Sequence, residues 1–349
     1  MYVSPGRIEF VGKHVDYAGG RSLTCATTMA IRARATVIED RLIRVDADAA
    51  RPYTEAVARR LFRDFPHATR GVALEITSDL PESAGLSSSS ALVVAAAQAL
   101  VDANELQLDE RWAEFVPDDL ARAAYFAAME TGEAFGPFPG DPGVGVRGGA
   151  QDPIAIICSE AGHLRQFSYL PPSIERSVPW PADYAIVIAH SGVRATKTAN
   201  AQGAYNNLSD RMRGFNRRPA APVPPDLVDR VAQFREETDV IVPGVGDALR
   251  DRDFARLGAL VDRSQHLAET VLENQIAETV FLARDARYLG AVAASAFGAG
   301  FGGAVWAMVA NADRDQFMAR WAEAYRTRFP ERRGRVMTTT PARPAHVER

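Results

Sequence analysis

PESAGLSSSSA, residues 81–91, is a proline- and glycine-marked turn that runs into a serine cluster and then into an alanine-rich stretch. Serine favours helix N-termini, so the pattern predicts a turn over 81–85 and a helix over 87–103. The first amides of a helix have no internal acceptor, and together with the helix dipole they attract a phosphate. Small serines let that phosphate approach, add hydroxyl donors, and can ligate Mg²⁺ as in other phosphate loops. From these residues alone, a serine-rich helix start without a ligand is the alternative. Two familiar nucleotide sites do not apply, because the chain has neither a GxxxxGK[ST] loop nor an HRD and DFG set.

Outward from this turn, residues 7–11 and 29–37 read as strands around Gly19-Gly20, and VALEITS (72–78) alternates as a further strand. Residues 119–133 predict a second helix, and 133–149 are dense enough in Gly and Pro to be a loop. The apolar runs 154–158 and 184–190 predict buried strands, with 171–181 as a connector. The proline-rich 219–225 leads into a helix near 226; further helices are expected over 253–264 and 278–289, then a strand over 304–309. No internal repeat or low-complexity tract is present. The order is α+β, not a regular βαβ alternation.

GAGFGG (298–303) satisfies GxGxxG in form, but a dinucleotide fold places that motif after its first strand and before a helix. Here it precedes the apolar run AVWAM (304–308), so a tight glycine turn is the expectation. Near the N-terminus, SPGRIEFVGKHVDYAGG (4–20) gathers Arg7, Lys13, His14, Asp16 and Tyr17 between glycines. Polar groups converging on a turn suit a sugar, whose hydroxyls need paired donors and acceptors. A charged surface turn is the alternative for any one of these residues.

The 349 residues are 47% hydrophobic and 24% charged, an ordinary globular composition long enough for two lobes. A net charge of −4 argues against a nucleic-acid partner. The arginines around 332–335 read as a solvated helix end or frayed terminus. Two cysteines, Cys25 and Cys158, make no disulfide framework and no zinc spacing. No signal peptide is evident, and the apolar run 91–100 is too short to span a bilayer. The expectation is a cytoplasmic protein, a monomer or weak homodimer, with a small-molecule sugar substrate and neither a nucleic-acid nor a membrane partner.

Three blocks in order resemble the GHMP kinase family (galactokinase, homoserine kinase, mevalonate kinase, phosphomevalonate kinase), and within it the galactokinases. SPGRIEFVGKHVDYAGG is similar to the galactokinase signature with its core GEHTDYNGG, PESAGLSSSSA to the ATP-binding motif, and GAGFGGAVWAM to the third motif. YFAAMETGEAFG, GGAQDPIAI, VIAHSGVRATKTANAQGAYNNLSDR and LGALVDRSQHLAE follow in the family's order, so the resemblance runs from Ser4 to about Val309. It implies a two-lobed α+β GHMP kinase fold, with an N-terminal lobe like ribosomal protein S5 domain 2 and a C-terminal ferredoxin-like lobe. The lobes would span 1–180 and 181–349, with the active site in the cleft between them.

The resemblance also implies roles. Asp152 would be the base at a sugar's anomeric C1 hydroxyl, with Arg7 beside it keeping it ionised and offsetting charge on the phosphoryl group. Ser89 and Glu130 would hold Mg²⁺, and Gly85, Leu86, Ser87, Ser88, Ser89 and Ser90 would cradle the ATP phosphates. His14, Asp16 and Tyr205 would bind sugar hydroxyls, with Gly149 allowing close approach. Phosphoryl transfer of this kind rests on positioning and charge neutralisation.

One departure bears on the substrate. The family's GEH is GKH here, so an acid has become Lys13. A cation at that place could meet the carboxylate of a galacturonate-type substrate, a pair worth about 4 kcal/mol before desolvation. Alternatively Lys13 pairs with Glu9, which stands where relatives have Asn, in a local charge swap. A catalytically silent sugar sensor is a third expectation to be tested.

Overall fold

The computed structural model describes residues 1–81, 84–145, 148–194, 209–214 and 222–348. Among the described residues two sheets carry the fold. The first, seven-stranded, has the order β11-β1-β2-β4-β3, with β5 also pairing β2 and β6 pairing β5. Its strands are β1 (Tyr2–Val11), β2 (Arg21–Ile38), β3 (Ile43–Val45), β4 (Gly71–Ser78), β5 (His163–Tyr169) and β6 (Pro172–Pro179), joined by β11 (His346–Val347). The second, four-stranded and antiparallel, has the order β10-β7-β9-β8, built from β7 (Tyr184–His190), β8 (Ala293–Ala296), β9 (Ala304–Ala310) and β10 (Arg335–Thr339). The α+β expectation holds.

Every residue from Val3 to Val11 in β1 is buried. A strand loses the usual apolar–polar alternation when both of its faces are covered. Helices α2 (Ser88–Ala103) and α5 (Gln151–Cys158) pack against it. Phe10 also stacks on Trp306 of β9, ring centroids 3.7 Å apart, which ties the two sheets together. The N-terminal half also holds α1 (Arg51–Asp64), the short α3 (Glu110–Phe115) and α4 (Asp119–Thr131). α2 is buried on nearly all sides from Ser90 to Val101, as a core helix must be. α4 opens on Asp118, whose carboxylate accepts from Ala121 N, and ends at Gly132 with φ 80°, two ordinary helix stops.

Three expectations are corrected. Residues 154–158 belong to helix α5, not to a strand. A run of apolar residues cannot distinguish the two periods, and Pro153 sits in the first helical turn, where its missing N–H is not needed. The connector expected over 171–181 contains β6, the hairpin partner of β5. The arginine-rich tail is not frayed: Arg335–Thr339 pairs along β7, and Arg332 forms an ion pair with Glu278 at 2.7 Å. The chain then returns to the first sheet, where Tyr2 faces Val347. The C-terminal residues therefore complete the N-terminal sheet.

Among the described residues no helix is long and apolar enough to cross a membrane.

Candidate active site

A cavity where the two sheets meet is lined by Arg7 and Glu9 of β1, His14 and Asp16 of the following loop, Ser90 of α2, and Glu130 of α4. Gly149, Gln151 and Asp152 at the start of α5 and the Gly298-Ala299 turn complete it. Asp152 stands in the first turn of α5, where the helix dipole favours a carboxylate. Its Oδ1 accepts from Arg7 Nε at 2.7 Å, and its Oδ2 accepts from Ser87 Oγ at 2.5 Å. The Arg7 side chain is only 5% exposed against 32% for Asp152, so the acid is the more accessible of the two at the cavity wall. Burial lowers the Arg7 pKa, but Asp152 and Glu9 more than compensate and leave it raised, so it stays charged.

Arg7 also fastens the serine turn. Its NH1 donates to Gly85 O at 2.5 Å, and its backbone N donates to Leu86 O at 3.1 Å. Gly85 has φ 79°, and Gly298 of the other motif has φ 78°. A Cβ on Gly298 would lie 3.2 Å from Gly85 O, so the serine turn and the late glycine turn touch backbone to backbone. GAGFGG joins the antiparallel strands β8 and β9, which rules out the dinucleotide geometry.

The serine that hydrogen-bonds Glu130 here is Ser90, the neighbour of Ser89. Ser90 Oγ donates to Glu130 Oε2 at 2.7 Å, and Ser90 lines the cavity. Ser89 contacts Tyr53 of α1, which itself lies within electrostatic reach of Glu130. Successive helical residues point about 100° apart, so only one of two neighbouring serines can face α4. Leu86 is buried, and Ser87 is engaged with the acid.

The loop after β1 is held from the other half of the chain. Val15, Tyr17 and Ala18 pack with Leu227, Val231 and Phe234. Arg230 in the helix Val228–Glu236 donates to His14 O and to Tyr17 Oη, the latter at 2.9 Å. His14 Nε2 lies 3.0 Å from Asn274 Nδ2 and 3.2 Å from Ala299 O. Asp16 Oδ2 accepts from Gln151 N at 3.3 Å, beside the α5 N-terminus. Burial, aided by nearby Asp152, pushes the Asp16 pKa up, against the pull of the Tyr17 and Gln151 amides. A Cβ on Gly149 would lie 2.2 Å from Asp16 Oδ2, which explains the glycine. Gly149→Ala should therefore displace that carboxylate and cost about 1–3 kcal/mol of stability. Urea unfolding would check the loss.

Lys13 is not in the cavity lining; its direct hydrogen bonds go elsewhere, and Glu9 acts on it through space. It is 2% exposed, and Nζ donates to Ser264 Oγ at 2.9 Å and Ser295 Oγ at 2.7 Å. Ser264 passes the contact to Glu237 Oε1 at 2.8 Å. The Glu9 carboxylate accepts instead from Gln151 Nε2 at 2.6 Å. Burial pushes the Glu9 carboxyl up to about 7, against the pull of Arg7 and Lys13. Tyr205 lies outside the described residues. The sequence analysis offers Glu9 only as a partner for Lys13 and gives no role to Gln151 or Asn274; for Glu9 as a cavity residue a signal existed, since it stands two residues after Arg7 and so shares its strand face.

Comparison with known proteins places the chain in a family. The GHMP kinases N terminal domain matches residues 52–131, the GHMP kinases C terminal domain 247–327, and the galactokinase galactose-binding signature 1–36. The chain belongs to the GHMP kinase family, and it is an ATP-dependent phosphotransferase with an alcohol group as acceptor. Among family members it is similar to the galactokinase of Chloroflexus aggregans, 28% identical over 93% of this chain and 87% of the relative. The galactokinase of Roseiflexus sp. is 26% identical over 92% and 86%. Lactococcus lactis galactokinase complexed with galactose superposes with a TM-score of 0.79 at 20% identity, over 99% of this chain and 94% of that one. L. major mevalonate kinase in complex with R-mevalonate superposes at 0.65 with 16% identity, over 98% and 96%. At these identities the structural likeness speaks for the fold.

Proposed function

We propose that the chain transfers the terminal phosphate of ATP to the anomeric C1 hydroxyl of galactose or a closely related monosaccharide. The observation that carries this reading is one cavity in which Asp152, tied to Arg7 and Ser87, faces the residues of the sugar signature and the serine-lined start of α2. Asp152 accepts the hydroxyl proton; each carboxylate oxygen keeps a lone pair beyond the bond it already accepts. Arg7 keeps the acid ionised and faces the negative charge of the phosphoryl group in flight. His14 and Asp16 orient the sugar, and the amides at the start of α2 bind phosphate.

Mg²⁺, when bound, supplies charge neutralisation on the phosphates. Ser89 and Glu130 would hold it, with Ser90, hydrogen-bonded to Glu130, beside them: a carboxylate and a hydroxyl suit a hard cation that otherwise takes water and substrate phosphates. Among the described residues no group of three or more His, Cys, Asp and Glu is arranged to hold a metal. Residues 1–180 and 181–349 act as two lobes in this scheme, the second lending its last strand to the first.

A coupled ADP-release assay over free hexoses, pentoses and uronates tests the proposal, with phosphorus NMR to place the phosphate on C1. Galactose or a near relative should give ADP and a sugar 1-phosphate. Silence on every sugar, or phosphate on another carbon, would refute it.

A further inference from the structure

The acceptor pocket carries an acid that the signature does not account for. Glu9 is 4% exposed and lines the cavity beside Arg7, Gln151 and Asp152. Its Oε2 is satisfied by Gln151 Nε2, yet among the described residues Oε1 has no hydrogen-bond partner, and neither has the carbonyl oxygen of the equally buried Gln151. Buried polar atoms are nearly always paired, so two unpaired acceptors on touching side chains at a cavity wall point to a donor that arrives with the ligand.

β1 explains why the acid is there. Arg7 and Glu9 are two residues apart and share one strand face. The register against β2 shifts between Glu9 and Val11, an irregularity of the kind that re-aims side chains beside active sites. After that shift Lys13 turns into the Ser264–Ser295 contact, away from the cavity. Among the described lining residues the arginine at position 7 is the cation, already engaged with Asp152, against carboxylates at 9, 16, 130 and 152.

We propose that Glu9, held by Gln151, is a specificity-determining residue of the acceptor pocket, accepting a hydrogen bond from a hydroxyl of a neutral sugar and turning away a carboxylate at the same end. This rests on the sugar-kinase reading above and deepens it. An anionic substituent there meets a wall that also carries the carboxylates of Asp16, Glu130 and Asp152, which is unfavourable, whereas a hydroxyl donates to the unpaired oxygen. The acid at position 9 thus serves the acceptor end of the pocket, while position 13 is occupied with packing between the two halves of the chain.

The test compares kcat/KM for D-galactose and D-galacturonate in the parent enzyme, Glu9→Gln and Glu9→Asn. The parent should use galacturonate at about one-hundredth of the galactose value or less. Glu9→Gln is the same size; its carbonyl can still accept from Gln151, which leaves an NH₂ donor where Oε1 stood. The galacturonate-to-galactose ratio should then rise at least about tenfold, carried by the KM for sugar, with the KM for ATP unchanged. Glu9→Asn removes the same charge and should move the ratio in the same direction, so the test stands if Glu9→Gln folds poorly. A parent that uses both sugars equally well, or a ratio unmoved in the folded variants, overturns the role of Glu9 and leaves the kinase reading intact. No turnover on any sugar overturns both.

Discussion

Asp152→Asn should lower kcat by about 10²- to 10⁴-fold, the usual contribution of a positioned general base. The amide keeps the size of the side chain and can still accept from Arg7 Nε, now 2.7 Å from Oδ1, but it cannot take a proton. Ser87 Oγ, 2.5 Å from Oδ2, would face an amide nitrogen or turn away. The KM values for sugar and ATP should change much less than kcat, because the side chains of His14, Asp16 and Glu130 are untouched. Arg7 is buried and loses its counter-charge, so some stability goes too, moderated because Asp152 is about a third exposed. Steady-state kinetics, together with thermal stabilisation of the variant by sugar and nucleotide, separates the two losses. A variant that binds both ligands and still turns over within tenfold of the parent would remove Asp152 from the role of base.

The second large effect is expected on stability. Lys13→Glu restores the acid found in the galactokinase signature, yet in this chain it should destabilise by about 3–5 kcal/mol. Glu237 is fully buried and accepts from Gly12 N at 2.8 Å, Lys13 N at 3.3 Å and Ser264 Oγ at 2.8 Å. The Lys13 ammonium is the cation that faces this carboxylate through Ser264, and Ser295 carries the network on to Gln265 Oε1 at 3.0 Å. Burial pulls the Lys13 pKa down while Glu237 and Glu9 pull it up. A second carboxylate at residue 13 would leave two like charges sharing one dry serine. Urea unfolding should show a lower midpoint with an unchanged slope. The preference between galactose and galacturonate should not invert. A variant as stable as the parent that gains activity on galactose would instead place residue 13 in the sugar pocket.

These two residues also show how unevenly the site could be read from the chain. Arg7, His14, Asp16, Ser90, Glu130, Gly149 and Asp152, all named from motifs, do line one cavity or abut it. The motifs are short stretches in which a turn, a helix start and a polar residue occur together, and such features depend on neighbours in sequence. The helix that presents Asp152 was read as a strand, because IAII fits either period and nothing local decides between them. Ser89 and Ser90 are equivalent as letters; the position of α4 selects the second. The Lys13 partners lie 251 and 282 residues away, so no window of sequence contains them.

From the order of residues alone follow the α+β class, the serine-lined helix start, the glycine turns and the set of polar groups available for chemistry. These depend on backbone sterics, helix-end hydrogen bonding and apolar periodicity, which act over a few residues. Which acids line the cavity, which serine meets Glu130, and where a buried ammonium finds its acceptors follow from packing β1 against α5, β9 and the rest of the chain. A buried charge takes its partners from whatever surrounds it after the chain has folded, and those surroundings are made of residues far apart in sequence.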